Sequence, residues 1–303
     1  MTSTEPPARI SKVAFLGLGV MGFPMAGHLA RAGMEVTVFN RSPDKAGRWL
    51  REFGAPHALA YTPADAAAGA DIIFCCVGDD PDVRSVTLGD DGAFQSMHAG
   101  ALFVDHTTTS AALAKALAEE APDGVGFVDA PVSGGQAGAE NAKLTIMAGG
   151  AADDVERARP VMSHYAARIG HMGPVGSGQI TKMANQICIA GILQGLSEAM
   201  HFTLDNGLDP DKVVDVIKGG AAQSWQMENR AETMVRGNFD FGFAVEWMQK
   251  DLRIVLETAR EAGISLPLTA LVDQFYADVV ANGGKRYDTS SLITRLRSQW
   301  IDE

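Results

Sequence analysis

The chain has 303 residues, 46% apolar and 20% charged, which is ordinary for a globular protein and long enough for two folded domains. Its formal net charge of −12 argues against nucleic acid and anionic membranes, so an anionic ligand must be held by local cations and amides. No run of about 18 apolar residues escapes polar interruption, so no membrane span is expected. The seven histidines form no HExxH or close cluster, so no metal is expected.

Residues 1–9 (MTSTEPPAR) have no apolar stretch and read as a flexible tail rather than a signal peptide. Cys75, Cys76 and Cys188 lack CxxC spacing. They are expected to be buried structural thiols in a reducing compartment, the cytoplasm.

Lys12 to Leu16 is a short β-rich run that feeds directly into Gly17-Leu18-Gly19-Val20-Met21-Gly22, with a helix expected from about Pro24 to Gly33. G-x-G-x-x-G between a strand and a helix is a dinucleotide-binding signature. The first glycine makes the tight turn, the second admits the pyrophosphate, and the third lets helix and strand pack. The helix N-terminal amides then face the phosphates.

The next strand, Glu35 to Phe39, ends in Asn40-Arg41-Ser42. An NAD enzyme would place a carboxylate here, about 20 residues past the motif, on the ribose 2′-hydroxyl. This chain instead offers an amide, a guanidinium suited to a 2′-phosphate, and a hydroxyl, which favours NADP over NAD. The competing reading of Arg41 is a solvated turn residue.

Strand and helix patterns then alternate. Apolar strands are expected over Asp71 to Val77, Ala101 to Val104, Val125 to Val132, Leu144 to Met147 and Arg168 to Ile169. Apolar strands separated by helices predict a parallel sheet covered on both faces, a Rossmann-type α/β domain over residues 10–172. Ligands bind beyond the carboxyl ends of such strands, so Val77, Gly78, Thr107 and Thr108 are expected to line the cofactor cleft. Ser133-Gly134-Gly135 exposes amides and a hydroxyl, a small nest suited to a carboxylate.

Residues 173–203 predict one long interdomain helix, apolar nearly all round and therefore buried. Gly191 and Gly195, four apart on one face, would let another backbone come close. Lys182, Asn185 and Gln186 share one face of this helix at i, i+3 and i+4. A lysine here either snorkels to solvent or is buried for use, since burial favours the neutral amine. Residues 204–303 read as helical throughout. Helices are expected over Pro210 to Lys218, Ser224 to Met234, Glu246 to Ala262, Pro267 to Ala281 and Ser290 to Trp300, with Trp225, Phe241 and Phe243 in the core.

Four ordered motifs carry a resemblance over nearly the whole chain: FLGLGVMGFPMA (Phe15 to Ala26), DAPVSGGQAGAENAKLTIMAGG (Asp129 to Gly150), GSGQITKMANQ (Gly176 to Gln186) and KDL (Lys250 to Leu252). The sequence resembles the β-hydroxyacid dehydrogenases, which include 3-hydroxyisobutyrate dehydrogenase and tartronate semialdehyde reductase. The resemblance implies an N-terminal Rossmann domain, a long interdomain helix and an all-helical C-terminal domain, commonly assembled as homodimers or homotetramers. It further implies Lys182 as the catalytic lysine. Ser133, Gly134, Gly135 and Asn185 would bind a small carboxylate substrate, and Thr108 and Lys250 would contact NADP, or NAD. The chain departs from the family pattern at His28, where asparagine is usual, at Thr107, where serine is usual, and at Gln186, where many members have a second asparagine. Imine reductases share the architecture but generally lack the lysine. 6-Phosphogluconate dehydrogenases need a cationic phosphate pocket not evident here, and the intact Ser133, Lys182 and Asn185 set argues against a non-catalytic NADP-binding protein.

Overall fold

The computed structural model describes residues 10–296; the expected tail over residues 1–9 and the end of the last expected helix, with Trp300, lie outside them. The chain forms two compact units that divide between Lys182 and Met183.

The first unit is a sheet with helices on both faces. Its strands are β1 (Lys12–Leu16), β2 (Glu35–Phe39), β3 (Ala58–Leu59), β4 (Ile72–Cys75), β5 (Leu102–Asp105), β6 (Gly126–Asp129), β7 (Val132–Ser133), β8 (Leu144–Gly150) and β9 (Ala166–Gly173). Its helices are α1 (Gly22–Arg31), α2 (Pro43–Phe53), α3 (Pro63–Ala67), α4 (Asp80–Leu88), α5 (Ala111–Glu120), α6 (Gly135–Glu140) and α7 (Ala152–Met162). The strand order is β3-β2-β1-β4-β5-β6-β8-β7, with β9 also paired to β8. Strand alternation builds two cores. Phe15, Phe74, Val104 and Trp49 pack on one face, and Leu16, Ile73, Phe103 and Leu117 on the other.

Two expectations are corrected here. The sheet is parallel from β3 to β6, but β8 runs antiparallel to both β6 and β7. The strand expected over Val125 to Val132 is broken at Ala130-Pro131 into β6 and β7. Pro131 has no N–H to give to a ladder, yet β6 and β7 keep one register against β8, Val128 opposite Gly150 and Val132 opposite Ile146, and the Met147 amide donates to the Pro131 carbonyl at 3.1 Å.

The second unit begins within α8 (Ser177–Asp205) and continues through α9 (Pro210–Ile217), α10 (Trp225–Val235), α11 (Val245–Glu261) and α12 (Pro267–Ala281). Side chains cap these helices where the sequence supplies them: Asp209 accepts from the Asp211 and Lys212 amides, and Ser224 from Met227. Ala190 and Leu193 of α8 pack with Val245, Met248, Val272 and Tyr276 to form the main core. The described part of the expected Ser290 to Trp300 helix is a tighter 3-10 run, Thr289–Arg295.

Helix α8 is not buried all round. Ile180, Ile192 and Phe202 are 48%, 41% and 68% exposed, and Cys188 is exposed rather than buried. Ala184, Cys188, Gly195 and Ala199 lie along the same open stripe, so apolar composition and burial part company on that face. By length and composition α8 could cross a membrane. Its buried Gln179, Lys182, Gln186, Gln194 and Ser197, and the packing of its second half, make it a core helix instead. Trp225 is likewise 54% exposed, its ring 5.0 Å from the Arg230 guanidinium carbon.

Candidate active site

Two glycines of the glycine-rich loop are under steric constraint, and the middle one stands open. Gly17 has φ +99°, and a Cβ there would lie 2.2 Å from the Cys76 carbonyl oxygen. A Cβ on Gly22 would lie 2.0 Å from the Gly17 carbonyl oxygen and 2.9 Å from the Phe15 ring. Around Gly19 nothing stands within 4 Å of a Cβ, and Val20 is exposed, so the loop leaves an open approach beside the start of α1. Helix α1 has no side-chain cap at its N-terminus. Uncapped amides, an open glycine and two tightly packed ones fit a pyrophosphate. Leu18 is buried and Met21 half-buried, so they shape the loop from beneath.

At the end of β2 the side chains divide their labour. Asn40 Oδ1 accepts from the Leu18 amide at 2.8 Å and its Nδ2 donates to the Ser42 carbonyl at 3.0 Å. Asn40 therefore braces the glycine loop, a role not expected from sequence. Ser42 precedes α2 without a capping bond. The Arg41 side chain is 89% exposed and its Nη1 lies 3.0 Å from Asp82 Oδ1 on α4.

The ends of β4 and β5 meet next to this loop. Thr107 Oγ1 accepts from the Val77 amide at 3.0 Å, so the threonine that replaces the usual serine fixes the Val77-Gly78 segment. Below it, Cys75, Asp105 and Asp129 stand in register on adjacent strands. Burial pushes the Asp105 carboxyl up to about 7, helped by the charges of Asp129 and Asp80 and opposed by hydrogen bonds with Thr107. His106 donates through Nδ1 to the Ala130 carbonyl at 2.6 Å, which leaves Nε2 to accept from the Tyr165 hydroxyl at 2.9 Å. Burial lowers this ring to about 4, so it is a neutral spacer.

Ser133 ends β7, and Gly134 and Gly135 follow with φ of +128° and +61°. Successive left-handed glycines turn amides outward at the start of α6, the form expected of a carboxylate nest. His28 serves the same region: Nε2 donates to the Ala139 and Glu140 carbonyls at 3.0 and 3.1 Å, joining α1 to the end of α6.

Asp129 receives the start of α8. Its Oδ1 accepts from the Gly176 amide at 2.7 Å and its Oδ2 from the Gln179 amide at 2.8 Å. Burial raises this carboxyl to about 6 in spite of those amides. A Cβ on Gly178 would lie 2.3 Å from the Met147 carbonyl oxygen and 2.6 Å from that of Asp129, so only glycine lets the helix come this close. Lys182 follows in the next turn and is 8% exposed, which decides against the snorkelling alternative. It is the last residue of the first unit.

In the second unit Asn185, Gln186, Asp251 and Lys250 form one polar chain. Asn185 Nδ2 donates to Gln186 Oε1 at 2.8 Å, and Gln186 Nε2 donates to Asp251 Oδ2 at 2.6 Å. Lys250 Nζ completes it, 2.9 Å from Asp251 Oδ1. Gln186 is therefore a link that orients Asn185, and Asp251 was visible in sequence only as the middle of KDL.

Two family models together cover almost all of the chain. The one described as the NAD binding domain of 6-phosphogluconate dehydrogenase matches residues 12–173. The one described as NAD-binding of NADP-dependent 3-hydroxyisobutyrate dehydrogenase matches residues 176–296. The 2-hydroxy-3-oxopropionate reductase of Escherichia coli is 36% identical, over 94% of this chain and 97% of its own. The chain belongs to the β-hydroxyacid dehydrogenase family. A Shewanella frigidimarina oxidoreductase is 57% identical, over 95% of this chain and 98% of its own length. A solved 3-hydroxyisobutyrate dehydrogenase of Mycobacterium tuberculosis, with L-serine, superposes with a TM-score of 0.86 at 30% identity, over 96% of this chain and 100% of its own. This β-hydroxyacid dehydrogenase is accordingly an NAD(P)-dependent oxidoreductase of the CH–OH group.

Proposed function

We propose that this dehydrogenase moves a hydride between NADP(H) and a short β-hydroxy acid or its semialdehyde, such as 3-hydroxyisobutyrate, with Lys182 as the proton-transfer group. The observation that carries the reading is the burial of Lys182 in the first turns of a helix whose N-terminus is bolted to the sheet. Burial of this kind favours the neutral amine, the form that can take up a proton.

In this reading the loop from Gly17 to Gly22 holds the pyrophosphate, Asn40 keeps that loop in shape, and Arg41 and Ser42 receive the 2′-phosphate. Val77, Gly78, Thr108 and Lys250 complete the cofactor contacts. The nicotinamide supplies or takes up the hydride. Ser133, the Gly134 and Gly135 amides and Asn185 hold the substrate carboxylate, leaving the β-carbon oxygen to Lys182. On reduction the Lys182 ammonium gives its proton to the forming alkoxide; on oxidation the neutral amine takes the hydroxyl proton. Positioned transfer of this kind contributes about 10²–10⁴-fold. The donors in the nest are neutral, which favours a short monocarboxylate over a phosphorylated substrate. Neutral neighbours also suit 3-hydroxypropionate, glycerate and serine.

The exposed stripe of Cys188, Ile192, Gly195, Ala199 and Phe202 supports a homodimer or homotetramer, because a second copy would cover its apolar side chains. Light scattering of an Ile192→Asp, Phe202→Asp double variant tests this: a monomer is expected, and an unchanged mass would refute it.

The functional reading is tested with a panel of short β-hydroxy acids assayed with NADP and NAD, against an alcohol of equal length. A kcat/KM for 3-hydroxypropionate at least about 10²-fold above that for 1-propanol is expected, since an unanchored substrate is misplaced as well as weakly bound. Comparable values, or an equal loss for both in Ser133→Ala, would remove the carboxylate anchor.

A further inference from the structure

Gln179 lies on α8 one turn before Lys182, at i and i+3, so the two side chains rise from the same side of the helix. Its side chain is fully buried, at 0% exposure. Both ends of its carboxamide are used, and on one short segment. Nε2 donates to the Thr107 carbonyl at 2.8 Å, while Oε1 accepts from the Thr109 amide at 3.0 Å. The residue between those anchor points is Thr108, which is half-buried. The Gln179 amide itself is held by Asp129 at 2.8 Å.

The segment so gripped has further ties. Thr107 Oγ1 fixes the Val77 amide, and Thr107 N donates to Asp105 Oδ1 at 2.9 Å. Ser110, just beyond, donates through its amide and hydroxyl to Asp80 at 3.0 and 2.6 Å. Two loops on the carboxyl side of the sheet are thus rigid with respect to each other. Gln179 ties that frame by two hydrogen bonds to the helix that carries Lys182.

We propose that Gln179 is a positioning residue, whose carboxamide bridges the Thr107–Thr109 segment to α8 and thereby sets where Lys182 stands relative to Thr108. The inference rests on the reading of Lys182 as proton-transfer group and of Thr108 as cofactor contact. Glutamine suits the task because it is neutral and presents one donor and one acceptor together. Glutamate offers the same pair only when protonated. Burial next to a carbonyl oxygen favours that protonated form.

The test compares Gln179→Ala, Gln179→Glu and Lys182→Met in steady state with 3-hydroxyisobutyrate and NADP, and with substrate deuterated at the β-carbon. In Gln179→Ala, kcat falls about 10- to 100-fold, as for a misplacement of about 1 Å. Its KM for NADP stays within about threefold, and the deuterium effect on kcat rises as hydride transfer becomes limiting. In Gln179→Glu, activity relative to wild type at the same pH climbs as pH is lowered from 8 to 6, because the protonated acid rebuilds both bonds. A kcat in Gln179→Ala within about threefold of wild type would overturn the proposal. So would a loss in Gln179→Glu that does not vary with pH. Should Gln179→Ala fail to fold, the pH-dependent recovery of Gln179→Glu carries the test alone. Lys182→Met separates the two ideas. If it turns over, the assignment of Lys182 fails; if it is inactive while Gln179→Ala is fully active, only the bridge fails.

Discussion

Arg41 Nη1 lies 3.0 Å from Asp82 Oδ1, joining the turn after β2 to the first turn of α4. The pair is exposed, so it contributes at most about 1 kcal/mol, and a 2′-phosphate can displace the carboxylate. The carboxylate nevertheless opposes NADP twice, by occupying the guanidinium and by repelling the phosphate. Arg41→Ala is expected to raise KM for NADP by about 30- to 150-fold, from loss of a charge-assisted contact of about 2–3 kcal/mol, and to leave NAD unchanged. Asp82→Asn is expected to lower KM for NADP about two- to fivefold. Steady-state titration of both cofactors checks this. Equal effects on NADP and NAD would make Arg41 a surface residue, and a higher KM for NADP in Asp82→Asn would mean that Asp82 aims Arg41.

In the second unit, Gln186 links Asn185 to Asp251 through bonds of 2.8 and 2.6 Å. Gln186→Leu keeps the volume and removes both. KM for the acid is expected to rise about tenfold, in line with the loss of about 1.4 kcal/mol from a hydrogen-bonded orienter, with little change for NADP. An unchanged KM for the acid would show that Asn185 needs no such support.

Asp105 gives a pH dependence with a definite sign. Its folded-state carboxyl titrates at about 7 against 3.8 in the reference state, because burial disfavours its charge. Stability attached to it is therefore full below about pH 4, falls as pH rises, and is lost above about pH 7. Asp105→Asn can still accept from the Thr107 amide and cannot ionise. Its melting temperature relative to wild type is expected to climb by roughly 5 °C or more between pH 5 and pH 8. A difference that stays flat would mean that the buried carboxyl is relieved on ionisation.

The parts of this fold that were legible in sequence are those written locally. The G-x-G-x-x-G turn declares itself because its three glycines stand at fixed spacing between a β-rich run and a helix, and a Cβ on Gly22 would meet the Gly17 carbonyl oxygen five residues before it. The bounds of α12, Pro267–Ala281, follow from a proline at one end and glycines past the other. What was not legible depends on partners distant in sequence. Nothing near Leu144 says that β8 runs antiparallel to β6 and β7 and parallel to β9. The bracing of the glycine loop by Asn40 was not legible because its bond to Leu18 spans 22 residues. The open stripe on α8 has the same apolar residues as a buried one, so composition could not distinguish them. Gln179 and Asp129 lay inside recognisable motifs, but their work is done by bonds across 72 and 47 residues.

The central claim is that Lys182 moves the proton. The most direct measurement is kcat for 3-hydroxyisobutyrate oxidation by Lys182→Met, paired with NADPH binding by fluorescence titration. The claim predicts a fall of about 10²–10⁴-fold in kcat with NADPH affinity within about threefold of wild type. Retention of more than about a few per cent of kcat, a smaller loss than positioned proton transfer is worth, would contradict it.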